Sequence, residues 1–186
     1  RVISYSNQLL DGYFLRDQSG KITGYNSSTA VGNLELNVQG LLYLKDAGLN
    51  ALNGLVGKDK AEQIGDLFVG NLNSYKKELL KNHGLKEEEG IKGTGQSEME
   101  AELRLIAKSV ADAGNDQANR ALAVRQLYIV NLAYELSAMM QGGTGGRTIS
   151  DQDVAIIFRA LRQQLTATPR SQAQVIIEVR EIAREM

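Results

Sequence analysis

The chain of 186 residues is long enough for one domain of ordinary size or for two small ones. Its 21 Lys and Arg residues are balanced by 22 Asp and Glu residues, so it lacks the cationic excess of a nucleic-acid sleeve or a membrane-surface peptide. The absence of cysteine excludes disulfides, thiol catalysis and thiolate metal sites, and the single histidine excludes any site that needs two imidazoles.

The remaining composition bears on the core and on the ends of the chain. With seven Tyr, three Phe and no Trp, the core is expected to be mainly aliphatic. No stretch approaches the ~18 uninterrupted apolar residues of a membrane-spanning helix, and no signal peptide is visible. The chain opens with Arg1 and not with Met, which predicts a processed product or a piece of a longer polypeptide.

Residues 1–32 form the first predicted segment, an arm rich in Tyr, Asn and Gly whose composition does not favour helix. Residues 12–16 and 21–25 are predicted to pair as a short hairpin around a turn at residues 17–20, because Asp opens turns and Gly accepts a positive φ. An isolated hairpin is only marginally stable, so the arm is expected to pack against another element.

Residues 33–84 are predicted to form a helical hairpin. Apolar residues recur at three- and four-residue steps from Asn33 to Gly57, which predicts the first helix. The second helix is predicted to run from Asp59, its N-cap, to His83, with Gly84 just past its end. At that position the imidazole is expected to interact with free carbonyl groups of the helix end, and not to act as a metal ligand or a base.

Residues 85–96 are the predicted linker, and residues 97–186 are predicted to hold four helices. Ser97 and Glu100 have the spacing of a capping box, which starts a helix that ends at Gly114. The next helix is predicted from about Asn115 to about Gln141. Its apolar residues are spread around much of its circumference, which is typical of the central helix of a bundle.

The last two predicted helices have well-defined starts. Ser150 is the predicted N-cap of the first, with Asp153 three residues later and Ile149 packing on Val154, and this helix is expected to end near residue 167. The second is predicted to start at a Thr168 cap followed by proline. Its buried stripe is predicted to consist of Ala173, Ile176, Val179, Ile182, Ala183 and Met186. The fold class is therefore mainly α, a bundle-like array of about six helices with a short extended N-terminal arm.

Two glycine-containing turns resemble ligand loops but fail the test of spacing. Residues 17–22 match half of a calcium loop, but that register puts Leu15 and Asn26 where carboxylates are needed. Residues 142–148 contain glycines as a phosphate loop does, but they follow a helix and have Arg147 in place of the lysine. No metal or cofactor is therefore predicted.

Acidic residues cluster near the helix that starts at Ser97, namely Glu98, Glu100, Glu102, Asp112 and Asp116. Acidic side chains in a first helical turn are favoured by the helix dipole, so a solvated face is the default interpretation. The alternative is a small helical enzyme that uses Glu102 and Asp112 in an acidic site.

Arginine replaces lysine in the second half of the chain, where every cation after Lys108 is an arginine. Because the guanidinium fork suits contacts with carboxylates and carbonyls, the C-terminal helices are predicted to form an interface. The alternative is a solvated face with local pairs such as Glu181 with Arg184. The predicted interface residues are Tyr5, Tyr13, Tyr25, Arg159, Arg162, Arg180 and Arg184. The local acids Asp151 and Asp153 argue against a nucleic-acid patch.

Residues 132–161 resemble a pattern in very large virion proteins of tailed bacteriophages, among them the internal virion (ejection) proteins. The similar parts are Leu132-Ala-Tyr-Glu, the Gly-Gly-Arg147 turn and Ser150-Asp-Gln-Asp-Val. The resemblance implies a structural region without catalytic residues, in which Gly146, Arg147, Ser150 and Asp153 position the turn.

The resemblance also implies a role and a location. Ejection proteins lie inside the capsid near the portal, leave with the genome and build a conduit across the host envelope. The resulting hypothesis is a non-enzymatic homo-oligomer in the virion, with portal, tail or core proteins as partners, transient membrane contact and no indicated DNA contact. Glycines at helix breaks would provide hinges for such a chain. The alternatives are a segment of a tail tape-measure protein, a small helical enzyme and a cellular helical adaptor.

Overall fold

Helices make up most of the described chain. The computed structural model describes residues 2–27, 31, 44, 46–83, 98–142, 149–163 and 168–186. These contain seven α-helices: α1 (Val2–Asp11), α2 (Asp46–Asn53), α3 (Ala61–Asn82), α4 (Glu98–Ala113), α5 (Gln117–Gly142), α6 (Asp151–Arg162) and α7 (Pro169–Glu185). The two strands are β1 (Phe14–Arg16) and β2 (Ile22–Tyr25). The predicted mainly α fold with a short N-terminal hairpin is confirmed.

Helix α1 was not expected, because the composition of residues 1–32 does not favour helix. Its buried residues Val2, Ser6, Leu9 and Leu10 recur at helical spacing. This face packs on α7 and touches α5. Burial of an amphipathic face outweighs weak intrinsic helix propensity, which is why the composition-based prediction is wrong for Val2–Asp11.

The predicted hairpin is confirmed. Strands β1 and β2 are antiparallel, with Phe14 opposite Tyr25 and a register irregularity between Leu15 and Arg16. In the turn, Asp17 Oδ1 accepts hydrogen bonds from the backbone N–H groups of Ser19 (2.9 Å) and Lys21 (3.0 Å). The hydrogen bond from the Ser19 side chain is the largest of the contacts that hold the pKa of Asp17 below its usual value. Asp17 is therefore a turn-forming residue.

The predicted helical hairpin is described in part. Helix α2 ends at Asn53, which is before the predicted end at Gly57, and residues 32–43 and 45 lie outside the described residues. Helix α3 begins after one 3-10 turn (Lys58–Lys60), so its N-cap is Lys60 and not the predicted Asp59. His83 is the C-cap, as predicted. Gly84, the 85–96 linker and Ser97 lie outside the described residues.

Helix α5 occupies the predicted central position. It begins after Asp116, whose carboxylate accepts a hydrogen bond from the backbone N–H of Asn119 (3.1 Å). Nearly every residue from Arg120 to Ala138 is buried. Helices α1, α4, α6 and α7 all pack against it, and α4 in turn packs against α3 and α6. The preceding helix α4 ends where predicted, at Gly114, which has a φ of 56°.

The last two helices start where the sequence predicts. Ser150 accepts a hydrogen bond from the backbone N–H of Gln152, and Ile149 and Val154 are both buried. Helix α6 ends at Arg162 and not near residue 167, and residues 164–167 are not described. Thr168 caps α7, with Pro169 in its first turn. Two members of the predicted stripe, Ile182 and Met186, are exposed, because the final turn of α7 extends past the helices that cover its other apolar residues.

One hydrophobic cluster runs from Val2 to Ala183 and takes residues from every described α-helix. None of the described helices combines the length and apolar character needed to cross a bilayer.

Candidate functional site

The central candidate site is a buried polar cluster where α3, α5 and α6 meet. Asp151, the first residue of α6, is 4% exposed. Its Oδ1 accepts a hydrogen bond from the Tyr134 hydroxyl at 2.8 Å, and its Oδ2 accepts one from Lys76 Nζ at 2.7 Å. A single carboxylate therefore joins three helices.

Aromatic contacts surround this cluster. The rings of Tyr75 and Tyr134 meet edge to face, with centroids 6.0 Å apart. Lys76 Nζ lies 5.7 Å from the centroid of the Tyr134 ring. The hydroxyl of Tyr75 donates to the backbone carbonyl of Asn131 at 3.2 Å. The ammonium group thus has both an anion and an aromatic face as neighbours, which stabilises a largely buried charge.

A second buried carboxylate, Glu135, lies one residue beyond Tyr134 on α5. Its Oε2 is 3.0 Å from Nε2 of His83. The sequence placed His83 correctly at a helix end but predicted carbonyl groups as the partners of its imidazole. The partner is instead a carboxylate on another helix, which sequence reasoning could not identify because 52 positions separate the two residues.

The chemistry available to these clusters is structural. Each carboxylate of the pair is held by a cation or by the imidazole, and the Tyr134 hydroxyl is used as a donor to Asp151. Among the described residues, no group of three or more His, Asp or Glu residues could hold a metal ion. We therefore interpret the clusters as joints between helices.

The predicted acidic site divides into separate contacts. Glu102 is buried, and its two oxygens accept hydrogen bonds from Arg159 Nε (2.9 Å) and from Arg162 Nη1. Asp112 is ten residues further along the same helix, about 15 Å away at the usual helical rise. The two carboxylates therefore do not form an acid pair.

The same contacts revise the predicted role of Arg159 and Arg162. Both guanidinium groups bind Glu102, and Arg159 also pairs with Glu98 at 2.9 Å, so they join α6 to α4 within the chain. The hydrogen bond to Glu102 is the main reason that the pKa of Arg159 lies above its usual value. The signal that sequence reasoning missed is a Glu and two Arg residues on one face of each helix.

The predicted interface tyrosines have different environments. Tyr13 is buried, its hydroxyl donates to Gln172 Oε1 at 2.7 Å, and burial raises its pKa to about 12 despite the nearby Arg125 guanidinium. Its side chain therefore offers no surface to a partner, contrary to the prediction. Tyr25 is partly exposed, stacks on Phe14 and has the Arg170 guanidinium 5.9 Å from its ring centroid. Tyr5 lies on α1, and its side chain is outside the described parts.

The remaining predicted residues lie at helix ends. Arg180 donates to Asn7 Oδ1 at 3.1 Å and, like Arg184, pairs with Glu181. Ser150 caps α6, and Asp153 is exposed in the first turn of that helix. Gly146 and Arg147 lie outside the described residues.

Comparisons of this chain with protein-family models, with curated proteins and with solved structures give no match.

Proposed function

We propose that this chain is a structural component of a tailed-bacteriophage virion, of the internal or ejection class, that works through contacts with its own copies and with portal, tail or core proteins. The observation that carries the proposal is the hydrogen bond from Tyr134 to Asp151. These residues belong to the two halves of the segment that resembles virion proteins. The bond makes those halves one helix-to-helix joint, which agrees with the positioning role that the resemblance implies.

The polar groups of α5 support a structural role. Arg125 Nη2 donates to the backbone carbonyl of Val31 at 3.2 Å, and Gln172 on α7 donates to the carbonyl of Leu122 at 2.9 Å. Together with Tyr134 and Glu135, these contacts connect the central helix to four other parts of the chain. Buried hydrogen bonds are directional, so they favour one arrangement of helices over others that apolar packing alone would allow.

An exposed apolar patch supports contacts between copies. The hydrogen bonds from Tyr13 to Gln172 and from Arg180 to Asn7 show that α1 and α7 run antiparallel. Ile3 therefore lies level with the last turn of α7. Ile3, Ile182 and Met186 are 37%, 40% and 56% exposed. Grouped exposed apolar residues often mark interaction sites, and this group lies beside the predicted interface residues Arg180 and Arg184.

Sedimentation velocity of the full chain over a wide concentration range tests this role. We expect the wild type to form species heavier than the 20.3 kDa monomer as concentration rises. Ile182→Glu should weaken this association by about tenfold or more, equivalent to about 1.4 kcal/mol, because it buries a charge in an apolar contact.

Ile156→Glu is the matched control, since Ile156 is also an exposed isoleucine but lies on α6. It should leave the association within about twofold of the wild type. A wild-type chain that stays monomeric throughout, or an Ile182→Glu variant that associates like the wild type, would contradict the proposal.

A further inference from the structure

A cavity of about 580 Å³ lies between α2 and the start of α5. Its apolar wall is formed by Leu49, Leu52, Val56, Ala121 and Val124. The volume falls within the range of about 300–1,000 Å³ that is usual for small-molecule sites. The cavity is separate from the Asp151 cluster and from the patch at the end of α7.

Arg120 is the only charged residue among the described residues that line this cavity. It is 8% exposed. Its Nη2 donates to the backbone carbonyls of Leu52 and of Leu55, the latter at 2.6 Å. Its Nη1 is buried and has no hydrogen-bond partner. The guanidinium group is therefore held in place by neutral carbonyls, while one of its donor nitrogens is unused.

The charge of Arg120 is uncompensated. Burial lowers its pKa from the usual value, and no carboxylate acts in the opposite direction. A buried charge without a counterion is costly, and an anion that pairs with it recovers much of that cost.

The position of Arg120 on α5 adds to the attraction for an anion. It is in the first turn of a helix of 26 residues, where the free N–H groups carry a partial positive charge. The nearest acidic residue in sequence, Asp116, accepts hydrogen bonds from the backbone and side chain of Asn119. Its carboxylate is thus engaged at the helix cap.

We propose that this cavity binds a small organic monocarboxylate, whose carboxylate accepts hydrogen bonds from Arg120 and whose apolar chain packs on Leu49, Leu52 and Val124. One guanidinium group matches one carboxylate in charge and in fork geometry. A phosphate dianion would need a second cation, which the described lining lacks. This binding site goes beyond the structural role proposed above and does not depend on it.

Isothermal titration calorimetry of the full chain with sodium octanoate tests the proposal. We expect one octanoate per chain. The uncharged 1-octanol, which has the same chain length, should bind about tenfold more weakly or less, because it cannot compensate the charge of Arg120.

Val56→Glu is the informative variant, since Val56 lines the cavity but is 38% exposed and so tolerates a polar side chain. The new carboxylate should compete for Arg120 and weaken octanoate binding about tenfold. Leu105→Glu is the control, because Leu105 is an exposed apolar residue on α4 outside the cavity. It should change the affinity by less than about twofold.

Three results would overturn the proposal. These are no heat of binding for octanoate, equal affinity for octanoate and octanol, and unchanged octanoate affinity in Val56→Glu. Circular dichroism of both variants shows whether they remain folded.

Discussion

Replacement of Asp151 by Asn is expected to lower the free energy of unfolding by about 3 kcal/mol. The substitution keeps the size of the side chain and still allows its carbonyl oxygen to accept from Tyr134. It removes the anion next to Lys76, whose side chain is only 16% exposed and so regains little hydration. A largely buried ammonium group without its counterion is the main source of the loss.

Urea unfolding followed by circular dichroism measures this effect, with Asp153→Asn as the matched control. Asp153 lies in the same helical turn but is exposed, so its loss should cost no more than about 0.5 kcal/mol. In a Lys76→Met background, Asp151→Asn should cost less than about 1 kcal/mol, because the ammonium group is no longer there to be stranded. An equal effect of Asp151→Asn in both backgrounds would rule out the ion pair as the cause.

Phe158→Ala is expected to cost about 4 kcal/mol, the other large effect. Phe158 lies on α6 and is fully buried in the hydrophobic cluster that α5 also lines. Truncation to Ala removes most of its apolar surface and leaves a cavity that the surrounding helices fill only in part.

Ile156→Ala is the control for this substitution, because Ile156 lies two residues away on the solvent side of the same helix. It should change the free energy of unfolding by no more than about 0.5 kcal/mol. Similar values for the two variants, measured by the same urea titration, would mean that α6 buries a different face.

Local chemistry made much of the fold predictable from the sequence. A Ser or Thr cap, a proline in the first turn and a glycine after the last turn act within a few residues, so Ser150, Pro169 and Gly114 mark helix ends correctly. The central position of α5 also follows from the sequence, since a helix that is apolar on most sides must be covered on most sides.

The contacts of the candidate site could not be predicted in the same way. Lys76 and Asp151 are 75 positions apart, and Glu102 and Arg162 are 60 positions apart. Each residue on its own has the appearance of a solvated surface charge, and only the packing of whole helices brings the partners together. Helix α1 was missed for a related reason, because its stability comes from burial against α7 and not from its composition.

The exposed end of the α1 and α7 pair shows where periodicity misleads. Ile182 and Met186 continue the apolar spacing of α7, so the sequence predicts that they are buried with Val179 and Ala183. In the structure they are exposed, because no described element covers the final turn of α7. Apolar spacing shows which residues share a face of a helix, but it does not show whether that face is covered by the same chain.

Mass spectrometry of purified phage particles, taken from the phage that encodes this chain, tests the proposed virion role most directly. Peptides of this chain should be abundant in intact particles and strongly depleted in particles that have released their DNA. Absence of these peptides from intact particles would contradict the role of the chain as a virion component.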